Sequence, residues 1–240
     1  LIACEDTRVT QKLLNHYGIT TKCISYHKYN EHERINFFLN TIKEGKSMAL
    51  VSDAGTPMIC DPGGVIVSKL LKEGFSVTSL AGACAVTTFL SQLPRENEQF
   101  SFIGFIPRTD SQIKEVCKQY LAQNFVFYDS PERILKTLKT IQEARGNVKI
   151  SLGREITKLF EEVITDNISN VLTHFENGIK GEIVCLIYAD EQVQDSDLKF
   201  KIQELKSKGF KAKEISVILS TLFEFNKNEV YKLAIDKDLC

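Results

Sequence analysis

Met48-Ala49-Leu50-Val51-Ser52-Asp53-Ala54-Gly55-Thr56-Pro57, resumed at Cys60-Asp61-Pro62-Gly63, decides the fold. A short apolar run ends in small residues and a Gly, and a Pro-bounded loop then leads into the helical pattern of Val65, Leu70 and Leu71, stopped by Gly74. A strand that hands over to a helix through such a loop is one unit of a parallel α/β sheet, whose ligand crevice lies at the carboxyl edge. Small side chains there let a ligand approach the backbone, and Asp53 and Thr56 offer hydrogen-bonding groups. The same pattern also describes an ordinary βα connection in which Gly and Pro only shape the turn.

Outward from this stretch the alternation repeats. Strands are predicted at Leu1–Cys4, Cys23–Tyr26, Ser47–Ser52, Ser76–Leu80, Phe100–Phe105, Phe125–Tyr128, Val148–Leu152 and Glu182–Tyr188. Amphipathic helices lie between them, as at Glu31–Lys43 with Ile35, Phe38, Leu39 and Ile42 on one face. Ser130-Pro131 before Ile134, Leu135 and Leu138 reads as an N-cap with Pro at the first helical position. Helical crossovers imply largely parallel pairing. Two α/β lobes are expected, residues 1–94 and 95–190, meeting near the polar turn Leu93-Pro94-Arg95-Glu96-Asn97. Residues 191–240 are expected to form a small helical appendage with Lys199, Lys201, Lys206, Lys208, Lys211 and Lys213 clustered early. That run fits either a solvated helical face or a surface for RNA phosphates. The chain opens on Leu1-Ile2-Ala3-Cys4, already strand-like and without Met, so a preceding strand is expected to be missing.

Composition excludes several classes. A net charge of −1 advertises no nucleic acid at whole-chain level, so an RNA partner would need a local basic surface. Seven scattered cysteines form no CxxC pair and stand near no His at ligand spacing, so no metal site is expected, and reduced thiols in a cytoplasmic protein are. No apolar run approaches the length of about 20 residues that spans a bilayer, so no membrane role is expected. Leu80-Ala81-Gly82-Ala83-Cys84-Ala85 is a second loop of small residues, open to a flat ligand or packed on a helix. Neither loop matches a dinucleotide fingerprint or a Walker loop.

Five ordered motifs carry a resemblance: Ile2-Ala3-Cys4-Glu5-Asp6-Thr7-Arg8; Ser52–Pro57 with Asp61-Pro62-Gly63; Phe127-Tyr128-Asp129-Ser130-Pro131-Glu132-Arg133; Gly153-Arg154-Glu155-Ile156-Thr157-Lys158; and Lys180-Gly181-Glu182. The chain resembles, over essentially its whole length, the bacterial 16S ribosomal RNA cytidine-2′-O-methyltransferases of the tetrapyrrole methylase superfamily. The resemblance implies two α/β lobes with S-adenosylmethionine in the cleft between them, a homodimer, and a cytidine in the decoding region of the small ribosomal subunit as substrate. It implies cofactor contacts from Ser52, Asp53, Ala54, Gly55 and Thr56 and from Ala81, Gly82, Ala83 and Cys84, with Tyr128 at the cleft. The sequence departs from the pattern in three places. A Gly/Pro loop before Leu1 is absent, the second loop lacks two prolines, and Glu132 stands where a His is usual.

A ribose hydroxyl attacks a methyl group only if its proton is accepted or its developing charge is stabilised. Glu155 and Lys158, three apart and so sharing a turn or helix face, are the favoured catalytic pair, with Asp6 beside Glu5 as a further candidate. Arg8, Arg133 and Arg154 are candidate RNA contacts, and His27 and His32 could border RNA. Structural ion pairs are the alternative for each. Two other functions compete: a methyltransferase acting on a small tetrapyrrole, and a catalytically silent RNA-binding remnant.

Overall fold

The computed structural model describes residues 1–94, 99–223 and 225–235, with residues 191–197 as backbone alone. The linker residues 95–98 therefore lie outside the described residues. In chain order the elements are β1 (Ile2–Cys4), α1 (Thr7–His16), β2 (Cys23–Ser25), α2 (Glu31–Lys43), β3 (Ala49–Val51), α3 (Gly64–Lys72), α4 (Ala85–Leu90), β4 (Ser101–Phe105), α5 (Asp110–Gln119), β5 (Phe125–Asp129), α6 (Ile134–Arg145), β6 (Lys149–Arg154), β7 (Glu162–Asn167), α7 (Ile168–His174), β8 (Ile183–Ile187), α8 (Glu191–Ser207), α9 (Ala212–Phe223) and α10 (Lys227–Ile235).

The first sheet has the order β2-β1-β3 and is parallel throughout. Its core sets Ala3 against Phe38 and Leu39 of α2, Ile66 and Leu70 of α3, and the buried Tyr26. The decisive strand is only half-buried, because β3 is an edge strand whose Ala49 is exposed. Residues 76–80, expected as a strand, are irregular, and Leu80 is 86 % exposed. Ser76–Leu80 finds no neighbouring ladder among the described residues, and an unpaired backbone is not held extended.

The second sheet, β4-β5-β8-β6-β7, corrects the expectation of largely parallel pairing. Only β4 with β5 is parallel; β8 runs antiparallel between β5 and β6, and β7 is antiparallel to β6. The strand β7 was not anticipated. Glu-Val-Ile-Thr-Asp-Asn holds only two apolar residues and stays half-exposed at the sheet edge, so it lacks the apolar run of a central strand. One face of this sheet packs on α5, α6 and α7 through Phe125, Phe127, Leu138, Ile141, Leu152 and Val171. The opposite face receives α4: Val86, Phe89 and Leu90 are buried against Val126, Val184 and Leu186. The α6 start also differs from expectation. Pro131–Arg133 form a turn and the helix opens at Ile134 without a side-chain cap, while the buried Asp129 accepts from the Ser130 amide (2.9 Å) and the Thr137 hydroxyl (2.6 Å).

Candidate active site at the carboxyl edge of the first sheet

Parallel pairing of β1 with β3 brings the segments that follow them, Glu5-Asp6 and Ser52–Pro57, out at one edge. The Asp6 amide donates to Asp53 Oδ1 at 3.1 Å. The Asp6 carboxylate caps α1 through the Arg8 amide (2.8 Å) and accepts from the Arg8 guanidinium at 2.6 Å, which lowers its pKa to about 2. Arg8 therefore stands in solvent, tied to Asp6. Burial, then the neighbouring Asp61 and Asp53, raise the Glu5 carboxyl above its ordinary range. Burial likewise raises Asp61, with the Ser52 hydroxyl opposing it. Four carboxylates thus converge here.

The two small-residue loops meet. Thr56 Oγ1 donates to the Ala83 carbonyl at 2.9 Å, and a Cβ placed on Gly55 would lie 3.4 Å from the same oxygen. Cys84 continues into α4 and faces Tyr128 at the end of β5. Burial, with Cys84 and Cys60 nearby, pushes the Tyr128 phenol up to about 12 against the opposing Val86 amide. Its ring packs on Phe102 (5.1 Å) and Phe105 (5.6 Å). Ser52–Thr56, Ala81–Cys84 and Tyr128 are therefore brought together where the two sheets adjoin. Cys60 and Phe105 belong to the same junction, since a Cβ placed on Gly104, the neighbour of Phe105, would lie 3.3 Å from the Cys60 sulfur. The sequence reading missed Phe105. Its signal is a large aromatic left 63 % exposed at a strand end.

A second group gathers where β6 ends and β8 begins. Glu155 and Lys158 pair at 3.0 Å, in a turn rather than on a helix, with Glu155 at φ 50° and Thr157 at φ 70°. Glu155 also accepts from the Glu182 amide at 2.9 Å, and Lys158 reaches Glu182 Oε2 at 3.1 Å. The Glu182 amide and Lys158 hold Glu155 below the usual carboxylate range. Partial burial pulls the Lys158 ammonium down, but Glu155 and Glu182 outweigh it and its pKa is raised. Close by in the chain, Arg154 binds Glu162 at 2.7 Å, Glu162 binds His174 at 2.7 Å, and these three with Lys180 line a cavity of about 400 Å³. Arg133 is placed differently from the other candidate RNA contacts. Its guanidinium donates to the Pro107 carbonyl at 2.8 Å and lies 3.4 Å from Asp129, bracing the segment after β4. His27 is half-buried, with its amide donating to Asn30 Oδ1, and His32 is exposed on α2. Among the described residues, no group of three or more His, Cys, Asp or Glu is placed to hold a metal ion, and no helix is long and apolar enough to cross a membrane.

Comparison with known proteins adds family to geometry. No family model matches the chain. Among solved structures, diphthine synthase aligns over 78 % of the chain with a TM-score of 0.59 at 13 % identity, covering 78 % of that protein. The uroporphyrin-III C-methyltransferase of Thermus thermophilus, in complex with S-adenyl homocysteine, aligns over 80 % of the chain and 85 % of its own, with a TM-score of 0.52 at 15 % identity. These likenesses establish a fold shared with the tetrapyrrole methylases. Sequence relatives are nearer. Ribosomal RNA small subunit methyltransferase I of Pasteurella multocida is 34 % identical over 248 residues, covering 98 % of this chain and 87 % of the relative. The protein of the same name from Hydrogenobaculum sp. is 39 % identical over 202 residues, 82 % of this chain and 87 % of its own. With identity of this order sustained along nearly the whole length, the chain belongs to the ribosomal RNA small subunit methyltransferase I family.

Proposed function

We propose that this chain transfers the methyl group of S-adenosylmethionine to the ribose 2′-hydroxyl of a cytidine in the decoding region of 16S ribosomal RNA, within the small ribosomal subunit. The observation that carries this reading is the junction of two small-residue loops through Thr56 and Ala83, beside Tyr128, in a chain of this family. The residues present fit the cofactor. Gly55, Ala54, Gly82 and Ala83 leave backbone accessible, and Asp53 with its neighbouring carboxylates complements a cationic ligand. The bound cofactor supplies a methyl group on a sulfonium, an already activated leaving group, so the protein's own task is orientation and charge.

Asp6 is committed to Arg8 and has a depressed pKa, so it serves better as an orienting group than as a base. Glu155 is held ionised by the Glu182 amide and Lys158. In this reading the ribose hydroxyl loses its proton to solvent water as its oxygen bonds the methyl carbon and the carbon–sulfur bond breaks; Lys158 stays protonated and stabilises the charge developing on that oxygen, while Glu155 aims the ammonium. Arg154, beside the Lys180 cavity, and exposed Arg8 supply RNA contacts; Arg133 supports the cleft from within. The labour is divided among residues 1–94, 95–190 and 191–240, and the working form is a cytoplasmic homodimer. Tritiated methyl transfer to small subunits lacking the modification, with the methyl located by mass spectrometry, tests the reaction. Methyl found on a base, or on no RNA at all, overturns it. Light scattering tests the dimer.

A further inference from the structure

The helices α8, α9 and α10 enclose a core of their own, in which Leu198, Ile202, Ile215, Leu219, Val230 and Ala234 are buried against one another. Among the described residues, that cluster draws on none from either sheet. The unit therefore has outward surfaces that the cleft described above does not use.

One of those surfaces is chemically distinct. Residues 199–213 carry six lysines and one glutamate in a chain whose net charge is −1. The density peaks where α8 passes into α9, at Lys206-Ser207-Lys208-Gly209-Phe210-Lys211-Ala212-Lys213, which contains no acid. Of the flanking acids, Glu204 pairs with Lys208, whereas the Glu214 carboxylate takes the Lys211 backbone amide at 2.7 Å rather than an ammonium. A solvated helical face does not account for this placement. Lys211 and Lys213 stand at the N-terminal end of α9, where the helix is already positive and a cation opposes helix stability. The turn also exposes an aromatic ring, Phe210 at 41 %, and α8 exposes Phe200 at 65 %; Lys201 lies 4.9 Å over the Phe223 ring. Lysines interleaved with exposed rings are the surface that grips phosphates and stacks unpaired bases.

We propose that the α8–α9 turn, with Lys208, Lys211, Lys213 and Phe210, is a second RNA contact, separate from the methyl-transfer cleft, that anchors the enzyme on small-subunit RNA. This rests on the reading of the chain as an RNA methyltransferase. It gives the near-neutral chain the local cationic surface that an RNA enzyme needs.

The test compares the full chain with its Lys208→Gln/Lys211→Gln/Lys213→Gln variant for binding to purified small ribosomal subunits across a potassium chloride series. Losing three phosphate contacts lowers the slope of log Kd against log salt by about 2 and weakens binding at physiological salt by about 50-fold. Phe210→Ser weakens binding by about tenfold while leaving the salt slope intact, the signature of stacking rather than charge. Calorimetric affinity for S-adenosylmethionine stays the same in both variants, which also shows that the lobes remain folded. An unchanged salt slope in the triple variant, with wild-type chain binding subunits normally, overturns the anchor and leaves the surface to a protein partner. Failure of the wild-type chain to bind S-adenosylmethionine is a different outcome and removes the methyltransferase reading on which the anchor stands.

Discussion

Gly181 tests the architecture of the turn that holds Glu155. It sits at φ 92° two residues before β8, and a Cβ placed there would run into the Glu155 side chain. Two costs therefore fall on Gly181→Ala: left-handed backbone for a residue with a Cβ, about 1–2 kcal/mol, and overpacking against Glu155, about 1–3 kcal/mol. At roughly 2–4 °C per kcal/mol for a chain of this size, the melting temperature should fall by about 4–20 °C. The two terms are separable. In a Glu155→Ala background the obstruction is gone, so Gly181→Ala should cost only the backbone term, leaving a coupling of about 1–3 kcal/mol in a double-mutant cycle. Urea unfolding of the four proteins measures it. If Gly181→Ala costs the same with and without Glu155, the glycine is not there to admit that carboxylate, and the argument that Lys180-Gly181-Glu182 shapes the Glu155–Lys158 turn is refuted.

Other expectations follow from the same geometry. Thr56→Val deletes the bond to Ala83, worth about 0.5–1.5 kcal/mol, and should weaken S-adenosylmethionine binding roughly 2- to 12-fold by calorimetry, while Thr56→Ser retains it. Phe89→Ala, which empties a fully buried site between α4 and the second sheet, should cost about 3–5 kcal/mol in denaturant unfolding. Glu162 has its folded pKa depressed by Arg154 and then His174, so its contribution is present above the ordinary glutamate value and is lost as pH falls through the lowered one; Glu162→Gln should flatten that acid limb of the stability profile. Glu5 has the opposite sign. Its folded pKa is raised, so stability declines as pH rises through that window, and Glu5→Gln should raise the melting temperature at pH 7, with the gain vanishing in acid.

Strands that read as continuous apolar runs were legible to within a residue or two, as Phe125–Asp129 and Ile183–Ile187 show, because both faces are buried and the pattern has one explanation. Pairing direction was not legible. Helical segments separate most of the strands, but β8 inserts antiparallel between β5 and β6, a choice made by the whole sheet and written in no local run. The candidate loops were visible as runs of small residues, the first at the end of a strand, and their meeting was not, since a threonine hydroxyl and a carbonyl 27 residues apart carry no periodic signal. Likewise the i to i+3 spacing of Glu155 and Lys158 announced their contact, while the turn geometry that achieves it depends on Gly181 across the sheet.

The helix α4 explains why the cleft needs both sheets. It follows the first sheet in sequence, yet Val86, Phe89 and Leu90 bury their side chains on the second. Its first residue follows Cys84, so the C-terminal half of Ala81–Cys84 is held twice, by the second sheet's core through α4 and at Ala83 by Thr56 from the loop after β3. The same helix bears on the other cluster, because a Cβ on Gly153 would lie 2.7 Å from the Phe89 ring, one residue before Arg154 and two before Glu155. A displacement of α4 would therefore move the candidate cofactor loop and disturb the base of the Glu155–Lys158 turn together. Side chains that never touch a ligand can in this way govern both halves of a transfer reaction, and Phe89 is the position at which stability and methyl transfer should fail in step.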